Sequence, residues 1–462
     1  MRGSSLRLEG PGSRHRSHSR PGNHGRRKSH GGVKVKEEKV LERVCEPKRL
    51  TAAWRQVKEN AGAAGIDRMS VKDFEERKQE LMRVIHKKLK SGEYRFKPAR
   101  RVLIPKEGSS KKRKLGIPVV MDRIVGQSMN LVFEEIFDSD FTESNFGFRK
   151  GRSQHGAIRH VRERVVKGCV WYASIDLKGF FDEIPHNLIL KLIRRKIADE
   201  RLVTLVARAL KAGVIVDGKF EKTQKGCPQG SPLSPMLSNI VLNEMDQELE
   251  RRGLEYCRWA DDFVVMLRSE RAAKRVMEGI IRYLENELGL PVNREKSCVA
   301  LVQEVTFLGF RIFRGKIQVS KESREKFNRK VRERTHRNNP LSMYQAIKEL
   351  NEYLSGWVNY FRIQEFKSLF GPMDIWVRNR LRSMQLKKWK KPRKLQRVMI
   401  SAGFKPHYAR KTWVGMNKWR SVRRKEVRRV LNLAWFRKME LIFLDDYTQT
   451  LLKGTRMSVL DR

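Results

Sequence analysis

Two adjacent aspartates, Asp261 and Asp262, separate two short apolar runs, Tyr256-Cys257-Arg258-Trp259-Ala260 and Phe263-Val264-Val265-Met266-Leu267. Both runs are rich in aromatic and β-branched residues. They predict two buried strands of a hairpin, with both carboxylates projecting from its turn. Two like charges so close together are costly unless a cation or a base neutralises them. Carboxylate oxygens suit magnesium, so the pair points to a divalent metal; ordinary turn aspartates are the alternative. A third carboxylate favours the metal. Val170-Trp171-Tyr172-Ala173-Ser174-Ile175 predicts another strand, ending at Asp176. Two-metal sites draw oxygen ligands from different elements to clamp the attacking and leaving oxygens of a displacement. Strand ends and a hairpin tip of one sheet can supply them, and the chemistry indicated is phosphoryl transfer.

The chain's charge suggests the substrate class. Its 462 residues are enough for two to four domains, and 101 Lys and Arg against 52 Asp and Glu give a formal charge of +49. A surplus this large, spread along the chain, implies a polyanionic partner such as nucleic acid. No apolar stretch approaches the ~18 residues that would span a bilayer, so no membrane partner is expected. Cys45, Cys169, Cys227, Cys257 and Cys298 are scattered and odd in number, with no Cys-x-x-Cys pair. That argues against a disulfide framework or a cysteine-rich zinc module and favours a reducing cytosol. No cysteine lies in 299–462, so no cysteine-zinc nuclease is expected there. Residues 1–36 are rich in Gly, Ser, Arg and His, contain Glu9 as their only acid and lack an apolar core, which predicts a disordered basic tail.

Folded sequence is expected from Glu37. Residues 50–90 read as helical, with a break at Gly62-Ala63-Ala64-Gly65. Arg101-Val102-Leu103-Ile104-Pro105, a basic loop Lys111-Lys112-Arg113-Lys114, and Leu115-Gly116-Ile117-Pro118 predict a β-hairpin with a cationic tip. After the loop Gly226–Leu233, Ser234 is expected to cap a helix that starts at Pro235 and buries Met236, Leu237, Ile240, Val241, Met245 and Leu249. Ala272–Leu288 predicts an amphipathic helix, and Val305–Ile312 a strand with a close-approach glycine. Helices dominate from Lys321. Between Trp376 and Arg429 there are 20 Lys and Arg and one acid, Glu426, interleaved with Trp376, Trp389, Phe404, Tyr408, Trp413 and Trp419. Cations meet phosphates, and such aromatics either stack on bases or anchor a helical core.

These motifs form an ordered series. Ala260-Asp261-Asp262 resembles the catalytic turn of reverse transcriptases. Gly147-Phe148-Arg149-Lys150-Gly151-Arg152-Ser153, Asp176 to Phe181-Asp182, and Pro228-Gln229-Gly230-Ser231-Pro232-Leu233-Ser234-Pro235 resemble the group II intron reverse transcriptases in particular. So do Pro291-Val292-Asn293-Arg294-Glu295-Lys296-Ser297 and Phe307-Leu308-Gly309-Phe310. Ala53-Trp54-Arg55-Gln56-Val57-Lys58 with Gly65-Ile66-Asp67 resembles the family's N-terminal extension, and Leu354-Ser355-Gly356-Trp357-Val358-Asn359-Tyr360-Phe361 its maturase, or thumb, segment.

The resemblance implies an α+β, right-hand polymerase. Its fingers and palm are built on an antiparallel sheet, followed by an α-helical thumb/maturase domain and a small basic helical DNA-binding segment. The implied divisions are 1–36 tail, 37–125 N-terminal extension and fingers, 126–320 palm with part of the fingers inserted, 321–392 thumb/maturase, and 393–462 DNA-binding. Asp176, Asp261 and Asp262 would be catalytic and hold two Mg2+ ions, with the Leu177 carbonyl as a further ligand. Lys106 and Arg113 would contact the triphosphate of the incoming dNTP. Phe181 would reject a 2′-hydroxyl, Gln229 and Lys296 would lie near the nucleotide, and Leu308 and Gly309 would support the primer end. Lys387, Lys388, Lys390, Arg420, Arg423, Arg424 and Lys425 would bind nucleic acid. The implied partners are group II intron RNA, template RNA, primer DNA and target DNA, in a bacterial, nucleoid-associated cytoplasm. Monomer and dimer stay open. Trp259 stands where the family has Tyr, which keeps the ring and loses the phenolic hydroxyl. Two other functions remain open: a splicing-only RNA-binding maturase, and a reverse transcriptase recruited to defence or DNA repair.

Overall fold

The computed structural model describes residues 36–105, 112–366, 368–389, 391–412 and 419–460. The expected tail, apart from Lys36, lies outside the described residues. Among the described residues ten strands form three sheets: β1 Ala99–Pro105, β2 Lys112–Ile117, β3 Trp171–Ile175, β4 Val214–Val216, β5 Lys219–Glu221, β6 Glu255–Trp259, β7 Asp262–Leu267, β8 Cys298–Leu301, β9 Phe310–Phe313 and β10 Lys316–Val319.

The sheet that organises the molecule has the order β6-β7-β3-β8 and is antiparallel throughout. Successive strand residues face opposite sides, and here both sides are buried. Phe263, Val265 and Leu267 of β7, with Ala173 and Ile175 of β3, join a core built with helices Val40–Cys45, Pro47–Glu59, Val120–Phe137, His186–Arg194, Glu200–Leu210 and Ser234–Arg251. Val264 and Met266, with Tyr172 and Cys257, join a second core built with helices Gln154–Val166, Lys321–Arg334, Met343–Phe361 and Phe370–Lys388. Burial on both faces explains why these strands read as unbroken apolar runs.

A second sheet has the order β2-β1-β4-β5. Here β1 and β2 form the expected hairpin, but β1 runs parallel to β4, so this sheet is mixed rather than antiparallel. Lys112, Arg113 and Lys114, expected in a loop, belong to β2, with Arg113 opposite Ile104 and Lys114 opposite Leu103. The outer arm of the hairpin is exposed on both strands, so burial does not select its side chains and cations fit the ladder. Lys106 lies outside the described residues.

The third sheet, β9–β10, is shorter than the strand expected over 305–312. Phe307 and Phe310 exchange both backbone bonds, at 2.8 and 3.0 Å, around Leu308 (φ 49°) and Gly309 (φ 78°). Two successive positive φ angles define a tight two-residue turn, so Gly309 lies in a turn and not within a strand, while the close approach is present: a Cβ there would come 2.9 Å from Ser323 Oγ and 3.4 Å from the Phe361 ring. Ser234 is the first residue of its helix rather than the cap, and its hydroxyl donates to the Pro228 carbonyl at 2.9 Å. The helix expected over 272–288 runs Glu270–Arg282 and continues as a π-helical turn, Tyr283–Glu287. Among the described residues no helix is long and apolar enough to cross a membrane.

Candidate active site

The β6–β7 ladder ends at the pair Trp259–Asp262, leaving Ala260 and Asp261 as a two-residue turn. Asp262 is therefore the first residue of β7. Strand β3 runs antiparallel to β7, and their last pair is Ile175–Phe263. Asp176 and Asp262 are the next residues beyond that pair, so they lie at the same end of these two adjacent strands. The three aspartates thus share one end of the sheet. Asp262 is exposed, whereas Asp261 and Asp176 are half-buried.

Asp176 is held from the β8 side. Asn293 Nδ2 donates to its Oδ2 at 2.9 Å, and Lys296 Nζ lies 3.7 Å from the same oxygen. The Asp176 amide donates to Ser297 Oγ at 3.1 Å, and its carbonyl accepts from the Asn293 amide at 2.8 Å. Leu177 bridges Val292, but the flanking bonds use the Asp176 carbonyl and the Lys178 amide, so the Leu177 carbonyl stays out of this pairing. Three carboxylates and such a carbonyl are hard oxygen donors and fit a hard divalent cation. Among the described residues no three His, Cys, Asp or Glu side chains are gathered into one metal-binding group. The fit therefore rests on donor chemistry and strand register, with the Asp176 carboxylate turned toward Asn293 and Lys296.

A cleft of about 590 Å³ lies between β2, the Gly62-Ala63 loop and the Gln229–Pro235 segment, and Phe181 and Gln229 both line it. The Gln229 carbonyl accepts from the Gly116 amide at 2.7 Å, clipping this segment to β2. Phe181 is half-buried and packs edge-on to Phe180, with centroids 5.4 Å apart. The aspartates do not line the cleft. The link is the segment Gly147-Phe148. Gly147 lies so close to the Ala260-Asp261 turn that a Cβ there would come 2.2 Å from the Ala260 nitrogen, while Phe148 (φ 56°) puts a ring that is 47% exposed into the cleft. Neighbouring Asp182 has its carboxyl pushed up by burial, opposed by Arg101 and Lys114. Arg113 is exposed on β2.

The remaining expected residues are distributed more widely. Leu308 and Gly309 form the turn before β9. Lys387 is exposed, but Lys388 donates to the Asn339 and Leu341 carbonyls at 2.9 and 2.6 Å and so ties down a loop. Lys390 lies outside the described residues. Arg420, Arg423, Arg424 and Lys425 are all exposed along Trp419–Arg423 and the start of Lys425–Val430. The interleaved aromatics serve the core: Trp389 is buried, and Trp376, Phe404 and Tyr408 pack against it. Trp413 and the Trp419 side chain lie outside the described residues.

Sequence reading passed over the roles of Asn293, Phe148, and the buried pair Arg258 and Asp246. Asn293 lies three residues before Lys296, but its reach to Asp176 depends on a pairing across β3. Burial pushes the Asp246 carboxyl up while Arg258 pulls it down. Asn239 and Asp246, two turns apart and both fully buried, share one face of the helix Ser234–Arg251, and such polar residues among its apolar ones are the sequence signal for such a pair.

Comparison with known proteins identifies the family. Residues 104–312 match the family model described as reverse transcriptase (RNA-dependent DNA polymerase), and residues 324–400 match the group II intron, maturase-specific domain. Protein YkfC of Escherichia coli is 34% identical over 60% of this chain and 83% of its own length. Group II intron-encoded protein LtrA of Lactococcus lactis is 28% identical over 61% of this chain and 57% of its own. An uncharacterized 91 kDa protein in the cob intron of Schizosaccharomyces pombe is 39% identical over 36% of this chain and 21% of its own. The chain thus spans most of the first and smaller shares of the others. With both domains matched in order along one chain, the protein belongs to the group II intron reverse transcriptase/maturase family, whose enzymatic class is RNA-directed DNA polymerase.

Proposed function

We propose that the chain copies RNA into DNA at the end of the sheet that carries Asp176, Asp261 and Asp262, and that it binds its intron RNA to assist splicing. The single observation carrying the site is the register: Ile175 opposite Phe263 sets Asp176 and Asp262 at the same end of two adjacent strands, by the turn that carries Asp261. Two magnesium ions held there, with the Leu177 carbonyl as an added ligand, supply charge neutralisation and Lewis acidity for displacement at a phosphate.

The chain's own residues do the rest. Lys296, beside Asp176, and Arg113, exposed on β2, offer cations to the triphosphate of a dNTP, together with Lys106. Phe181 and Gln229 wall the cleft beside the nucleotide, and the Phe181 ring excludes a 2′-hydroxyl by bulk. The Leu308-Gly309 turn supports the primer end. In this reading 37–125 are the N-terminal extension and fingers, 126–320 the palm, 321–392 the thumb/maturase domain and 393–462 the DNA-binding segment. The maturase-specific match over 324–400 favours intron RNA as a partner. The cationic ridge Arg420, Arg423, Arg424 and Lys425, with exposed Lys387, suits the backbone of target DNA.

The test is cDNA synthesis on an RNA template with Asp176→Ala, Asp261→Ala and Asp262→Ala. Each is expected to lose synthesis while keeping its affinity for RNA. Wild-type synthesis by any of the three would remove that residue from the site.

A further inference from the structure

Beneath the aspartate turn lies a buried charged network that none of the nucleotide- or metal-directed roles uses. Arg258 and Asp246 are both fully buried. Arg258 Nε donates to Asp246 Oδ1 at 2.8 Å, and Nη2 donates to Oδ2 at 2.5 Å. The remaining nitrogen, Nη1, points away from that pair. It donates to Asn239 Oδ1 at 2.9 Å and to the carbonyl of Ala260, inside the turn, at 3.1 Å. Asn239 in turn donates through Nδ2 to the Gly147 carbonyl at 2.8 Å, and Gly147 is the residue whose backbone abuts the Ala260 amide. The turn is thus held at its carbonyl by Arg258 and packs at its amide side against the Gly147 backbone, and Asn239 bonds to both Arg258 and Gly147.

The turn needs holding. Ala260 has a φ of 57°, a left-handed conformation that is costly for a residue with a Cβ and persists only where its surroundings impose it. A buried ion pair is a poor means of stabilising a fold as such, since well-packed apolar residues of similar volume often serve as well or better. What a guanidinium adds is direction. Its planar fork fixes several donors at once, which neither an apolar side chain nor lysine reproduces.

We propose that Arg258, with Asp246 and Asn239, is a positioning residue for the catalytic aspartates: its fork fixes the Ala260 turn so that Asp261 and Asp262 meet the metal and the incoming nucleotide in the reactive geometry. This rests on the assignment of those aspartates as the catalytic site. Asp246 orients and neutralises the guanidinium. Asn239 couples the turn to the Gly147-Phe148 segment, and so to the wall of the nucleotide cleft.

The decisive variant is the double substitution Arg258→Met with Asp246→Leu in the full chain, which removes the directed bonds without leaving a buried charge unpaired. Four readouts are taken: thermal melting, Mn2+ binding to the protein without nucleic acid by electron paramagnetic resonance, primer–template binding, and steady-state dNTP incorporation with kcat and KM separated. Melting near that of wild type is expected, with Mn2+ affinity and kcat each lower by about 10–100-fold and with primer–template affinity unchanged. Arg258→Lys, which keeps the charge and loses the fork, should fall with the double variant. Asn239→Ala leaves the ion pair in place and should lower kcat in the same direction; it decides the matter if the double variant does not fold. Wild-type kcat and Mn2+ affinity in a folded double variant, or in Asn239→Ala, would overturn the proposal. Asp261→Ala is run alongside. If it is inactive while the double variant is fully active, only the positioning role fails; if it is active, the site assignment itself fails.

Discussion

The Tyr360 hydroxyl donates to the Leu308 carbonyl at 2.9 Å, so a helix of the C-terminal core holds the turn that precedes β9. The next residue is held as firmly: the Gly309 carbonyl accepts from the Ser320 amide and from Ser323 Oγ, each at 3.0 Å. If this turn supports the primer end, Tyr360→Phe removes one support and keeps the ring. The expected cost in stability is about 1 kcal/mol. Fewer nucleotides should be added per binding event when extension is run with a trap for released enzyme. Unchanged product lengths would detach the turn from the primer.

Phe181 lines the cleft and is only half-buried, so its ring is available to a bound nucleotide. Phe181→Val should raise ribonucleotide relative to deoxyribonucleotide incorporation by roughly tenfold or more. The measurement is the ratio of kcat/KM for paired rNTP and dNTP substrates. A constant ratio with a lowered melting temperature would make Phe181 a core residue alone.

Arg420, Arg423, Arg424 and Lys425 are exposed in a chain of formal charge +49. Each cation that meets a phosphate releases counterions and steepens the salt dependence of binding. Replacing all four with Gln should weaken duplex DNA binding and reduce the slope of log K against log salt by about 3–4. A slope equal to that of wild type would place the DNA elsewhere.

Asp122 is buried and accepts from the Tyr94 hydroxyl at 2.8 Å and the Lys97 amide at 2.9 Å, fastening the segment before β1 to the helix Val120–Phe137. Burial pushes its carboxyl from 3.8 up to about 7, against the opposing pull of those hydrogen bonds. The folded state then holds a proton that the unfolded chain releases near 3.8. This group's contribution is fully present below that pH and is lost as pH rises through about 7. Its size is on the order of 4 kcal/mol at most. The stability of wild type minus that of Asp122→Asn should therefore fall between pH 4 and pH 7 and level off above. A flat difference across that window would show that the carboxyl titrates normally.

The sequence by itself determined the chemistry and the local elements. The runs flanking Asp261-Asp262 became β6 and β7, Trp171–Ile175 became β3, and the apolar face of the helix at Ser234 was buried as its spacing predicted. These are short-range properties, since burial period and turn residues are written in neighbouring positions. The register that sets Asp176 and Asp262 at the same end of adjacent strands was not written there, because it depends on which strands pair across some ninety residues. The basic run 112–114 read as a loop because polarity normally marks one, yet a strand exposed on both faces carries cations without cost to a core. Lys388 read as a free cation, and the structure spends it on two backbone carbonyls. The buried bond from Arg258 to Ala260 was equally illegible: an arginine two residues from a turn has many places to reach, and only the helix carrying Asp246 and Asn239, packed beneath β6, directs it to the carbonyl that shapes the turn.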